Sequence, residues 1–285
     1  MIIDIHTHLF SPEFSADVTK LMSDDHMALM NAQGNYTMAS HDKLLIDMNT
    51  NNIDKAVAMG FAWYDESFCQ NQNTYLASLN TITDNRIIGF GSIPLKPIFN
   101  KPDNTDFIKQ YVEQIKKHGL FGIGEIAFYK TGLINETVTY LDAVLQSAEE
   151  FELPVCLHVN EPVGHMYTGK YYPNFEKLLE IIEKHQTVKL LLSHWGGGLL
   201  FYEHMPEIKK TLKNCWYDTA ASPFLYDEKI YSSAVEMIGA EKICMGTDFP
   251  LLSYGRYKDS IENNIQDKTD REKVLRKNAE IFLGI

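Results

Sequence analysis

Residues 1–8 are MIIDIHTH, an apolar segment that ends in two histidines. The apolar residues predict a buried β-strand, and residues two apart on a strand point to the same face. His6 and His8 can therefore reach one common point just beyond the end of this strand. Two imidazoles that converge on one point indicate a site for a divalent metal ion.

Further apolar, β-branched segments recur along the whole chain, and helical patterns separate them. Several are nearly continuous apolar runs, which are typical of strands buried on both faces of a parallel sheet. The predicted strands cover residues 2–8, 54–60, 86–93, 120–127, 153–159, 188–194, 215–219 and 242–248. The predicted helices cover residues 41–52, 71–83, 106–118, 136–151, 175–185, 205–212, 230–238 and 270–282.

This alternation predicts an α/β protein, a (β/α)8 TIM barrel that forms a single domain over residues 1–285. The alternative is an open doubly wound sheet. Such a sheet usually binds a nucleotide through a glycine-rich turn after its first strand. The segment HLFSP at residues 8–12 stands there instead, so the barrel is favoured.

The overall composition narrows the class of partner. With 26 basic and 38 acidic residues the net charge is −12, which disfavours binding to nucleic acid. No apolar run reaches the ~18 residues that a membrane span needs. The four cysteines show no CxxC spacing and the N-terminus lacks a signal pattern, so we expect a cytoplasmic protein. We expect a small-molecule substrate, and a homo-oligomer is compatible with the sequence.

Two connections are longer than a barrel requires. They are Leu9–Ser40 after the first strand and Asn160–Pro173 after the fifth. Loops that follow the strands of a barrel lie at its C-terminal mouth, over the active site. We interpret both as lids or binding loops, with plain packing as the alternative.

Four more metal-ligating side chains stand at predicted strand ends, namely Glu125, His158, His194 and Asp248. A single histidine or carboxylate at such a position is usually structural. Together with the first pair, however, they place six potential ligands on five strands at the same end of the barrel. His and carboxylate ligands in this mixture suit a catalytic zinc, manganese or iron ion.

The chain has a family resemblance that rests on these motifs. They are HTH at residues 6–8, GIGE at 122–125, His158, SHWGGG at 193–198 and GTDFP at 246–250. It resembles the amidohydrolase superfamily, in the amidohydrolase 2 branch of metal-dependent barrel hydrolases and decarboxylases. The resemblance implies that Asp248 takes a proton from metal-bound water and passes it to the leaving group.

The number of metal ions stays open at this point. In one arrangement His6, His8, His158 and Asp248 hold a single ion, and His194 is free to polarise the substrate or orient water. In the other, Glu125 bridges two ions, as in TatD-like proteins. His6, His8 and Asp248 then hold one ion, and His158 and His194 hold the second. We expect zinc, with manganese or iron as alternatives.

Substrate contacts are predicted from residues that stand beside these ligands. Trp195 follows His194, Phe10 follows the first strand, Tyr129 follows Glu125 and Asn160 follows His158. His165 and three tyrosines of the loop after the fifth strand are further candidates.

The leading functional hypothesis is a metal-dependent hydrolase that uses metal-activated water on a small amide, ester or lactone. The alternative is a non-oxidative decarboxylase of an aromatic or enol carboxylic acid. A TatD-like nuclease and a non-catalytic metal-binding barrel are less favoured.

Overall fold

Eight parallel strands form one sheet in the order in which they occur along the chain. The computed structural model describes residues 1–34, 36–96 and 105–285. The strands are β1 (Ile3–His8), β2 (Lys55–Met59), β3 (Ile87–Gly91), β4 (Gly122–Ile126), β5 (Val155–Leu157), β6 (Leu190–Leu192), β7 (Cys215–Asp218) and β8 (Ile243–Cys244). The predicted (β/α)8 barrel is therefore confirmed.

Backbone hydrogen bonds between β1 and the segment that begins with β8 bring the two edges of the sheet together. The Ile5 amide donates to the carbonyl of Met245, and the His8 amide donates to the carbonyl of Phe249. The register of β1 against β2 shifts between Asp4 and Thr7. Such irregularities re-aim side chains beside active sites, and this one lies at His6.

Helices surround the sheet. The larger ones are His41–Asn51, Glu66–Ile82, Thr105–Lys117, Asn135–Phe151, Phe175–Lys184 and Ile230–Ile238. Smaller helices cover Pro206–Thr211, Lys258–Asn264, Lys268–Glu272 and Asn278–Leu283, the last two joined by a π-helical turn at Lys273–Lys277. No helix in the described part of the chain is long and apolar enough to cross a membrane.

The later strands are shorter than the sequence pattern predicts. β8 has two residues where seven were predicted, because the chain leaves the sheet early to carry its polar residues to the mouth. The connection Leu9–Ser40 is also less irregular than expected. It contains helices at Pro12–Ala16 and Asp25–Met30 and a 3-10 turn at Val18–Leu21, although Asn35 lies outside the described residues.

A buried carboxyl group remote from the barrel mouth permits a first prediction. Glu203 is 3% exposed, and its Oε1 accepts a hydrogen bond of 2.7 Å from the Tyr217 hydroxyl. Its Oε2 has no hydrogen-bond partner among the described residues. Burial raises the pKa of Glu203 above its ordinary value, because the charged form is desolvated.

We therefore expect the free energy of unfolding to fall as pH rises from about 4.5 through the raised pKa, because the folded chain binds this proton more tightly than the unfolded chain. Glu203→Gln should remove this part of the pH dependence, so its stability relative to the wild type should be greater at pH 8 than at pH 5. Urea unfolding at the two pH values measures this difference. An equal effect at both pH values would contradict the prediction.

Candidate active site

The six predicted metal ligands lie together at the C-terminal mouth of the barrel. His6 and His8 end β1, and Glu125 lies within β4. The other three follow β5, β6 and β8, since strands that end early let the next residues turn toward the barrel axis; they are His158, His194 and Asp248. Their ligand atoms form two neighbouring groups of three.

The first triad comprises His6, His8 and Asp248. The Nε2 atoms of the two imidazoles are 3.0 Å apart. Asp248 Oδ1 lies 3.7 Å from Nε2 of His6 and 3.3 Å from Nε2 of His8. Three ligand atoms at these separations can surround one ion at the ~2.0–2.2 Å that imidazole nitrogen and carboxylate oxygen adopt toward zinc.

The second triad comprises Glu125, His158 and His194. Glu125 Oε1 is 2.9 Å from Nδ1 of His158 and 3.7 Å from Nε2 of His194. The other carboxylate oxygen, Oε2, lies 3.6 Å from Nε2 of His8 in the first triad. Glu125 therefore stands between the two triads with one oxygen toward each, the position of a bridging carboxylate.

The charges of the site are balanced by histidines. Burial alone would raise the pKa of Glu125, but His158, His6 and His8 hold it well below its usual range. Burial likewise opposes ionisation of Asp248, and His8, His6 and His194 outweigh it, so its pKa is lowered. For His6, burial disfavours the charge, but Asp218 and Glu125 raise its pKa well above the ordinary value. The two carboxylates thus require positive charge close by.

This donor set fits a divalent metal ion. The Nδ1 of His6 lies 2.8 Å from Oδ2 of Asp218, so with an ion bound the neutral ring would keep its proton at Nδ1 and offer its Nε2 lone pair to the triad. The Nε2 of His8 faces it at 3.0 Å, and the Nδ1 of His8 is buried with no hydrogen-bond partner among the described residues. A divalent ion between these two nitrogens would take a lone pair from each ring and supply the positive charge that the two carboxylates require.

A cavity of about 600 Å³ opens directly over both triads. This volume suits a small-molecule substrate. Its wall is largely aromatic and apolar, and the residues that line it include Met30, Tyr36, Tyr129, Tyr167, Phe224 and Leu251. Within the described chain, the basic side chains that line the cavity are those of His8, His158, His165 and His194.

The predicted substrate contacts are placed differently from one another. Tyr129 lines the cavity, with its ring 5.4 Å from that of His158. The expectation for Trp195 and Phe10 needs correction, because both are buried in the packing and neither is among the described cavity-lining residues. Trp195 Nε1 donates to Ser222 Oγ at 2.7 Å, and Phe10 packs edge-on against Trp63.

Asn160 lies behind His158 rather than at the described cavity wall. Its amide is 3.0 Å from Nε2 of His158 and 2.9 Å from the hydroxyl of Tyr167. Its Oδ1 accepts the backbone N–H of Tyr171. It therefore supports a ligand and orders the loop after β5. His165 of that loop does line the cavity.

The glycine run after His194 forms a tight turn. Gly196, Gly197 and Gly198 all have positive φ, and a Cβ on Gly197 would collide with the carbonyl oxygen of Asn160. Gly197→Ala should cost about 3 kcal/mol of stability, from the left-handed backbone and the displaced carbonyl. Gly119→Ala has a similar φ but open space and should cost about 1 kcal/mol. If urea unfolding shows equal losses of stability for the two variants, the predicted collision at Gly197 is contradicted.

Two further residues at the site are not predicted from the sequence. Asp218 ends β7 and contacts ligands of both triads; its place in WYDT at a strand end was the available signal. Tyr36 lines the cavity from the connection after β1. No periodic pattern marks Tyr36, so only tertiary packing reveals it.

Comparisons with known proteins agree with this architecture. The amidohydrolase family model matches residues 3–285, while no curated protein sequence matches the chain. A 2,6-dihydroxybenzoate decarboxylase in complex with 2,6-dihydroxybenzoate has a TM-score of 0.71 at 15% identity, covering 100% of this chain and 99% of the other.

Two further solved structures are similar. One is a 5-carboxyvanillate decarboxylase from Novosphingobium aromaticivorans, in complex with manganese and 4-hydroxy-3-methoxy-5-nitrobenzoic acid. It has a TM-score of 0.74 at 13% identity, and the match covers 100% of this chain and 96% of the other. The other is a protein from Pseudomonas putida, described as a candidate 2-pyrone-4,6-dicarboxylic acid hydrolase. It has a TM-score of 0.65 at 14% identity, and the match covers 99% of this chain and 97% of the other.

Fold and site together define a TIM-barrel enzyme with two groups of side chains at its mouth that could hold a divalent metal ion. Since the family model extends over nearly the whole length, the chain belongs to the amidohydrolase family.

Proposed function

We propose that this protein is a metal-dependent decarboxylase of a small aromatic carboxylic acid. The observation that carries the proposal is the cavity. Aromatic and aliphatic side chains together line the space above the two triads, with Tyr36, Tyr129 and Phe224 among them, and no Lys or Arg is among the described residues that line it. An aromatic ring fits such a wall, and its carboxylate then has only the metal site as a strong positive partner.

In this proposal the six ligands hold the metal, and the cavity orients the substrate. A bound divalent ion supplies positive charge that holds the substrate carboxylate and stabilises negative charge that develops during reaction. Tyr36 and Tyr129 have pKa values raised by burial and by nearby Glu125 and Asp248, so their hydroxyls remain protonated donors.

The reaction breaks the bond between the ring carbon and the carboxylate. The electron pair stays on the ring carbon, carbon dioxide leaves, and the carbon takes up a proton. Asp248 is the more exposed of the two site carboxylates, at 15% against 3% for Glu125. We assign it the transfer of this proton, which it acquires from substrate or solvent and delivers to the ring.

Hydrolysis, the first interpretation from the sequence, is the second candidate. The separation of the ligand atoms into two triads with Glu125 between them favours it, because two-metal sites hold both the attacking and the leaving oxygen. The similar structures support decarboxylation more strongly, since two of those described above are decarboxylases.

The test supplies the metal-loaded protein with a panel of ring-hydroxylated benzoates and, separately, with aryl esters and lactones. Decarboxylation releases carbon dioxide and, in deuterated water, places deuterium on the ring. Hydrolysis in ¹⁸O-labelled water places the label in the product carboxylate. Label incorporation from the esters without carbon dioxide from the acids would replace the first proposal by the second.

The metal itself belongs to the proposal. Zinc was expected from the sequence, whereas one similar decarboxylase binds manganese. Both ions suit imidazole and carboxylate ligands. We propose manganese as the working ion, and reconstitution of the metal-free protein with each ion in turn compares their turnover.

A further inference from the structure

Asp218, at the end of β7, contacts a ligand from each triad. Its side chain is fully buried. Oδ2 accepts a hydrogen bond of 2.8 Å from Nδ1 of His6. Oδ1 accepts the backbone N–H of His194 at 2.8 Å and that of Ala220 at 3.0 Å. We propose that Asp218 is a positioning residue that sets the geometry of both triads at once, an inference that rests on the proposed metal centre.

The bond to His6 determines which ring nitrogen is free. A neutral imidazole carries one proton, and a proton held at Nδ1 by a carboxylate leaves the Nε2 lone pair for a metal ion. Ser193 Oγ lies 3.4 Å from the same Nδ1, and Cys156 Sγ lies 3.3 Å from that hydroxyl. Both are neutral and weaker acceptors, so the carboxylate dominates.

This arrangement also explains a third cluster of potential ligands, formed by His6, Cys156 and Asp218. His6 Nδ1 already donates to Oδ2, and Oδ1 already accepts two backbone N–H groups. The cluster is therefore a support for His6 and not a separate metal position.

The bonds at Oδ1 hold the second triad. His194 has φ 57° and ψ 48°, a left-handed conformation that is unfavourable for a residue with a side chain. Such strain persists where surrounding bonds enforce it. Asp218 holds the His194 amide, and Nδ1 of His194 donates to the Ala220 carbonyl at 3.1 Å. This leaves Nε2 of His194 facing Glu125 and His158.

The variant Asp218→Asn separates positioning from simple packing. It keeps the shape of the side chain, and its oxygen can still accept both backbone N–H groups. Its NH2 group would replace Oδ2 and donate to Nδ1 of His6. The ring proton must then move to Nε2, which faces the metal position. We expect the dissociation constant for Mn²⁺ to rise about 10- to 100-fold, measured by competition with a chelator.

A double-mutant cycle with His6→Ala provides the control. If Asp218 acts through the His6 ring, Asp218→Asn has its full effect in the wild-type background and a much smaller one when His6 is already absent. Equal fold-losses in both backgrounds, or a change below about threefold in the wild-type background, would overturn the inference. Thermal unfolding without metal shows that the variants are folded.

Should the variant fail to fold, the wild-type protein still decides the question. In the Zn²⁺-loaded enzyme, ¹⁵N chemical shifts of the His6 ring should show the proton at Nδ1, and a proton at Nε2 would refute the assignment. A wild-type protein that binds neither Mn²⁺ nor Zn²⁺ would refute the proposed function itself, and the inference with it. If instead the wild type binds metal and Asp218→Asn binds it equally well, only the inference about Asp218 is refuted.

Discussion

The Asp248→Asn variant is expected to lose about 10³- to 10⁴-fold in turnover of the aromatic acid, the upper range for loss of a general acid. Asp248 Oδ1 lies 3.3 Å from Nε2 of His8, and the side chain also borders the cavity. It therefore contacts the metal position and the substrate space together. An amide can still offer an oxygen to the ion, but it cannot carry the proton to the ring carbon.

Metal titration separates these two roles of Asp248. We expect the variant to bind Mn²⁺ about tenfold more weakly, and saturating Mn²⁺ should restore occupancy but not turnover. Recovery of turnover to within threefold of the wild type would show that Asp248 serves only as a ligand. The exposed Asp227, which caps its own turn through the Lys229 amide, gives the matched variant Asp227→Asn, for which we expect wild-type turnover.

The second large effect concerns Glu125. Its two oxygens face different triads, at 2.9 Å from Nδ1 of His158 and 3.6 Å from Nε2 of His8. We predict that the wild type binds two Mn²⁺ ions per chain and that Glu125→Gln binds one. Glutamine has no negative charge to neutralise two neighbouring cations, and its NH2 group points a donor at one of the triads. Turnover of the aromatic acid by Glu125→Gln should fall by about 10³-fold.

Metal analysis of the purified proteins and anomalous scattering at the manganese edge measure this change. Glu203→Gln is the control, since Glu203 is also a buried glutamate but belongs to neither triad, and it should keep both ions. Two ions bound to Glu125→Gln, or a single ion in the wild type at saturation, would show that Glu125 does not bridge.

The sequence alone determined the barrel. Strands buried on both faces appear as short, nearly continuous apolar runs, and amphipathic helices repeat their apolar residues every 3.6 positions, so their alternation is visible without any knowledge of contacts. The candidate metal ligands could be predicted for a related reason. Parallel strands place their C-terminal ends at one mouth, so a polar residue after each apolar run is brought to that mouth by topology.

Tertiary structure alone decided which side chains surround these ligands. Trp195 and Phe10 stand next to strand ends in sequence, but their large apolar rings are buried against Ser222 and Trp63. Tyr36 reaches the cavity from a connection whose path no local pattern encodes.

The division of the ligands into two triads is also a product of the tertiary structure. It depends on where Glu125 directs its two oxygens and on how Asp218 holds His6 and His194. These contacts join residues more than 20 positions apart, and their distances follow from the packing of the whole barrel. The HTH segment at residues 6–8 therefore predicted where a metal ion would bind, while the folded chain determined how the candidate ligands and the cavity above them are arranged.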